Sequence, residues 1–136
     1  MNLTTKSDWT SQQPSPPQIL VVNDEQEILP EYEEFFEFAG FPTITCADPV
    51  EAFDLVLSIT DIKVVITDLR MAQLDGASMI RDLRAALPSQ RRLDFLILTG
   101  DASAQLMNDI ADVPVFLKPA DTDALVAAIR AALSRP

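Results

Sequence analysis

Ile19-Leu20-Val21-Val22 is a short, unbroken apolar run that stops abruptly at Asn23-Asp24-Glu25. Four consecutive branched aliphatic residues closed by polar ones read as a strand buried on both faces, the kind found in parallel sheets. The same shape recurs at Val64-Val65-Ile66, which ends in Thr67-Asp68, at Phe95-Leu96-Ile97-Leu98, which ends in Thr99-Gly100, and at Val113 to Leu117, which ends in Lys118-Pro119. Thr43 to Ala47 reads as a further strand.

Helical patterns lie between these runs. Ile28, Tyr32, Phe35, Phe36 and Ala39 recur at helical spacing, with Gly40 placed to cap the end and Pro30 tolerable only in the first turn. Asp48-Pro49-Val50-Glu51 is a helix start with an N-cap acid, proline at the first helical position and Glu three residues after the cap; Ala52, Phe53, Val56 and Leu57 are its expected buried face. Leu74-Asp75-Gly76 reads as a turn before a helix from about Ala77 to Leu87 that buries Met79, Ile80, Leu83 and Leu87. A short helix is expected over Ser103–Ala111, and a last one with Leu125, Val126, Ile129 and Leu133 on one side. Five strands alternating with five helices give an α/β protein, a parallel sheet with helices on both faces.

The 136 residues suit one domain, expected over 18–134, behind a polar, proline-containing leader at 1–17. The leader has no apolar core like that of a secretory signal, and no apolar run is long enough to span a bilayer, so a cytoplasmic location is expected. The formal net charge of -11 argues against a nucleic-acid surface, and no membrane partner is expected. It is unevenly spread: seven acids fall between Asp24 and Glu37 without a Lys or Arg. That stretch reads either as a solvated helix face or as a docking surface for a basic partner. With no histidine anywhere, His-based acid–base catalysis, Ser-His-Asp triads and histidine metal ligands are excluded within this chain. Cys46 is single, and reads as a small buried hydrophobe.

Ligands of open parallel sheets collect beyond the carboxyl ends of the strands. The residues brought to that rim are Asn23, Asp24 and Glu25 after the first strand, Asp68 after the third, Thr99 and Gly100 after the fourth, and Lys118 after the fifth. A carboxylate there can accept a phosphoryl group as an acyl phosphate. Asp24 and Asp68 together make a hard-oxygen site suited to Mg2+, Lys118 brings a compact positive charge for phosphoryl oxygens, Thr99 a hydroxyl donor, and Gly100 space and a backbone N–H.

The segments ILVVNDEQEI (19–28), VVITDLRMAQLDG (64–76), LILTG (96–100) and VFLKPAD (115–121), taken together, in this order and at this spacing, resemble the receiver domains of two-component response regulators. The resemblance covers Gln18 to about Leu133. It implies a flavodoxin-like (βα)5 three-layer sandwich with sheet order 2-1-3-4-5. It implies Mg2+-dependent phosphoryl transfer to Asp68 from a histidine kinase or histidine phosphotransfer protein, so that the chain is a signalling phosphoacceptor and not a turnover enzyme. Carried over by position, Asp24 and Asp68 are metal ligands with the Arg70 backbone carbonyl and Asn23 through a water. Thr99 and Lys118 contact the phosphoryl group, Thr99 and position 115 form the switch, and Glu25, Arg70, Gly100 and Asp101 modulate.

The chain departs from the family pattern at three places. Asn23 stands where the family usually has an acid, which reads either as one charge lost from the metal site, predicting weaker Mg2+ affinity, or as a neutral substitution that its water-mediated role tolerates. Val115 occupies the position of the switch aromatic, with Phe116 on the opposite face of its strand and expected in the core. Ala72 replaces the usual proline in the loop after the acceptor. Arg70 and Asp101 read either as gates for water at the pocket mouth or as an exposed ion pair. Asn23 and Val115 keep a second function open, a degenerate receiver used as a phosphorylation-independent interaction module. A phosphatase of the aspartyl-phosphate class is disfavoured, because Arg70 stands where that class has its second acid. The output, whether a downstream protein target or an attached domain, is not written in these residues, and dimerisation is left open.

Overall fold

The computed structural model describes residues 15–69, 76–100, 110–117 and 122–134. Strands β1 (Ile19–Val22), β2 (Thr43–Cys46), β3 (Val64–Thr67), β4 (Asp94–Thr99) and β5 (Val115–Leu117) form one sheet in the order β2-β1-β3-β4-β5. All four pairings are parallel. The helices among the described residues are α1 (Leu29–Phe38), entered through a 3-10 turn at Gln26–Ile28, α2 (Pro49–Ser58), α3 (Gly76–Ala86) and α4 (Thr122–Leu133). The flavodoxin-like order expected from the sequence is the order found.

Alternation along the strands divides the core in two, because successive side chains point to opposite faces. Leu20, Val22, Val65 and Ile97 pack with Ala52 and Val56 of α2 and Met79, Ile80 and Leu83 of α3. Ile19, Val21, Ile66, Leu96 and Leu98 pack on the other side with Leu29 and Phe36 of α1 and Leu125, Ile129 and Ala132 of α4. All four residues of β1 and of β3 are buried, the apolar ones as their unbroken runs require and Thr67 as the polar end of β3. Each such side chain contributes roughly 1.5–3 kcal/mol relative to exposure, so the central pair anchors the sheet.

Local signals set the helix ends. Pro30 lies in the first turn of α1, where no N–H is missed, and Gly40 leaves the helix at φ +99°, a left-handed conformation that favours glycine. Asp48 caps α2 through its side chain, whose Oδ1 accepts from the Val50 amide at 2.9 Å. Glu51 instead accepts from the Cys46 thiol at 3.2 Å. Cys46 is buried as expected, and burial is the main cause that pushes its thiol pKa up to about 12.

Some expectations are corrected. Leu57 is 50% exposed: the buried stripe of α2 is Pro49, Ala52 and Val56, and Leu57 falls instead on the solvent side with Val50 and Asp54. The second strand stops at Cys46 and the fifth starts at Val115, after Pro114, which has no N–H to give a ladder. In α4 the buried residues are Leu125, Ile129 and Ala132, while Val126 and Leu133 are only partly covered. The helix expected over Ser103–Ala111 lies largely outside the described residues; Ile110, near its end, is fully buried.

The C-terminal end of α2 is held from a distance in sequence. The Arg91 guanidinium donates to the carbonyls of Val56 (2.9 Å), Ile59 (3.3 Å) and Ile62 (2.9 Å), tying the end of α2 to the turn that leads into β3. Charged donors of this kind contribute about 1.5–3 kcal/mol each, though not additively. Arg91→Ala is therefore expected to lower unfolding stability by roughly 2–4 kcal/mol in urea denaturation, with Arg91→Lys recovering only part because it lacks the planar fork.

Candidate functional site

The rim is built by register. β1 pairs with β3 so that Val22 lies beside Thr67, and β3 pairs with β4 so that Thr67 lies beside Ile97. The residues that follow, Asn23-Asp24 and Asp68, therefore emerge side by side at the carboxyl edge, with Thr99 ending β4 next to them. The Asp68 amide donates to the Val22 carbonyl at 3.3 Å and the Asn23 amide to the Cys46 carbonyl at 3.0 Å, which carries the ladder one residue past the apolar runs.

Burial separates the parts. Thr99 and Asn23 are buried, Asp68 is half-buried, and Asp24, Glu25 and Gly100 are exposed. The Asn23 Oδ1 accepts from the Glu25 amide at 2.9 Å, an Asx-type turn that fixes the direction in which Asp24 leaves the strand. The Thr67 hydroxyl donates to the Asp68 carbonyl at 2.9 Å. Lys118, Arg70, Ala72 and Asp101 lie outside the described residues. Leu117, the last residue of β5, pairs with Thr99 in the β4–β5 register.

Gly76 is the residue whose importance sequence reading missed. It opens α3 and is buried, and its amide donates to the Leu69 carbonyl at 2.9 Å, closing the loop that follows Asp68. A Cβ at Gly76 would collide with the backbone carbonyl of Asp68. The turn pattern Leu74-Asp75-Gly76 suggested only local backbone freedom; the close approach to residue 68 is a tertiary fact.

Val115 is 39% exposed, and Phe116 packs against the core cluster beneath α4.

The donor set fits magnesium. Mg2+ prefers hard oxygens and keeps several waters, so two carboxylates at a solvent-open rim suffice where a closed cage does not form. Among the described residues no group of three or more His, Cys, Asp or Glu could hold an ion on its own. Softer metals that need nitrogen or sulfur ligands have nothing to bind here: histidine is absent from the sequence and the one cysteine is buried in the core.

The family model for the response regulator receiver domain matches residues 19–130. This chain belongs to the response-regulator receiver family. Its receiver sequence is 28% identical to response regulator SaeR of Staphylococcus aureus (strain USA300) over 84 residues, 60% of this chain and 34% of SaeR, so it spans about a third of that relative's length. The receiver fold superimposes on the signal receiver domain of an HD-domain-containing protein from Pseudomonas fluorescens Pf-5 with a TM-score of 0.74 at 24% identity, covering 88% of this chain and 95% of that one. Response regulator TrrA from Thermotoga maritima, solved in complex with Mg2+-BeF, gives a TM-score of 0.73 at 20% identity over 85% of this chain and 98% of that one. No helix among the described residues is long and apolar enough to cross a membrane.

Substituting Gly76 tests how tightly the rim is packed. Gly76→Ala is expected to lower stability by roughly 1–3 kcal/mol, as overpacking against backbone does, and to shift the Asp68 and Leu69 amide resonances. Gly100→Ala, where an added Cβ meets nothing within 4 Å, should leave stability nearly unchanged.

Proposed function

We propose that this receiver accepts a phosphoryl group on Asp68 from a histidine kinase or histidine phosphotransfer protein and so acts as a phosphorylation-controlled switch. The observation that carries this reading is the β1–β3 register, which brings the Asn23-Asp24 turn and Asp68 to neighbouring strand ends. TrrA, a neighbour of the same fold, is solved with Mg2+-BeF, which supports magnesium and a phosphoryl-like ligand as the chemistry of such a rim.

In this mechanism an Asp68 carboxylate oxygen attacks the donor phosphorus. The P–N bond to the donor imidazole breaks, the nitrogen keeps the bonding pair, and an acyl phosphate remains on Asp68. Asp24 and Asp68 would hold magnesium, together with the Arg70 carbonyl and Asn23 through a water. When bound, that ion supplies neutralising charge for the phosphoryl oxygens. Thr99 donates its hydroxyl to a phosphoryl oxygen and Lys118 adds its ammonium. Glu25, Arg70, Gly100 and Asp101 modulate access of the water that later hydrolyses the acyl phosphate. Thr99 and Val115 hold the switch positions, with an aliphatic side chain in place of a ring.

The working unit is residues 18–134, with 1–17 outside it, in a cytoplasmic setting. The Gln18 amide supports this boundary, since it already donates to the Pro42 carbonyl at 2.9 Å. Output passes to a downstream protein target or an attached domain. A phosphorylation-independent interaction module is the second reading, favoured by the neutral Asn23 and by Val115.

Acetyl phosphate with Mg2+ separates the two. Intact-mass spectrometry is expected to show one added phosphoryl group on the wild type and none on Asp68→Asn or when magnesium is chelated. An unmodified wild-type chain under conditions that label a receiver of known activity would favour the module.

A further inference from the structure

Residues 15–62 contain 11 Asp and Glu and no Lys or Arg, so the whole formal net charge of -11 resides there and the remainder of the chain is balanced. The topology gathers this stretch at the β2 end of the sheet, in β1, α1, β2 and α2, with β2 as the edge strand and α1 and α2 on its two faces. Within that acidic side, Phe38 is 93% exposed, more than any other large hydrophobic described. Its neighbour Glu37 lines an open groove of about 540 Å³ whose other walls include Pro17, Phe41, Pro42 and Ile44. Among the described residues Glu37 is the only charged one lining it.

This surface stands apart from the rim. α1 begins after the carboxyl end of β1 and ends before the amino end of β2, so its ten residues carry Phe38 about 15 Å along the helix axis away from Asp24. A molecule seated at Phe38 and the groove leaves Asp68 accessible. A second copy of this chain meeting the same face two-fold would set Glu37 and the other acids of α1 against their own copies, which like-charge repulsion opposes. The complementary occupant brings cations for Glu37 and its acidic surroundings and an apolar side chain for the groove. An extended segment suits it best, because Thr43 and Ile44 of β2, the edge strand among the described residues, form part of the wall.

We propose that the C-terminal end of α1, Glu37 and Phe38 with the groove beside β2, docks a basic peptide segment of a partner protein that carries apolar anchors, independently of phosphorylation.

The test is fluorescence anisotropy with a labelled peptide of alternating Lys and Leu against the full chain, with an all-Lys peptide of equal length as comparison. The Lys-Leu peptide is expected to bind more tightly than the all-Lys peptide and to weaken as salt rises. Phe38→Ala, a change at a solvent-exposed position, should weaken it about tenfold, as loss of an aromatic anchor does, and Glu37→Gln by a smaller factor. Asp68→Ala should leave it unchanged, so failure of the phosphoacceptor reading and failure of this one are distinguishable. Equal binding of the two peptides, or equal affinity in wild type and Phe38→Ala, would overturn the proposal. So would a peptide response that disappears in Asp68→Ala.

Discussion

The pairing of β1 with β3 is the interaction on which the rest depends. Eight residues, all buried, interlock in one parallel register that sets Val22 beside Thr67. A slip by one residue would turn Leu20 and Val22 towards the α1–α4 layer and Ile19 and Val21 towards α2 and α3, reversing both cores together. The hydrophobic pattern thus specifies the register, and the register specifies which polar residues meet at the carboxyl edge. The site is a consequence of core packing before it is a matter of chemistry.

Around that edge, uncharged groups do much of the positioning. Asn23 uses its amide oxygen to hold the Glu25 amide, Thr67 holds the Asp68 carbonyl with its hydroxyl, and Gly76 lets the start of α3 come against the same carbonyl. The replacement of an acid at position 23 therefore has two sides. It lowers the charge available to a cation, and it keeps an acceptor that orders the turn carrying Asp24. Charge divides the molecule in a second way: every unbalanced acid, those of the rim included, lies between Ser15 and Ile62, while the part of the sequence that contains β4, β5 and α4 is balanced.

Much of this was legible in the sequence for a physical reason. Short aliphatic runs ending in Asn23-Asp24, Thr67-Asp68 and Thr99-Gly100 carry both the strand and its rim residue in one stretch, and Pro30, Gly40 and Asp48 mark helix ends through backbone chemistry that is local. Leu57 was not legible, because adjacent helix positions 56 and 57 are both aliphatic and only the tertiary environment selects Val56 for the core. The same holds for Gly76 and Arg91, whose partners are at residue 68 and at residues 56–62: contacts across the fold leave no periodic trace.

The central claim is that register assembles Asn23-Asp24, Asp68 and Thr99 into one magnesium-dependent phosphoryl site. Titration with beryllofluoride and Mg2+, followed through backbone amide resonances, tests it most directly. The account predicts that the amides of Asn23–Glu25, Asp68–Leu69 and Thr99–Gly100 shift together, only when both components are present, and not in Asp68→Ala. Shifts confined to one of these segments, or retained in Asp68→Ala, would contradict it.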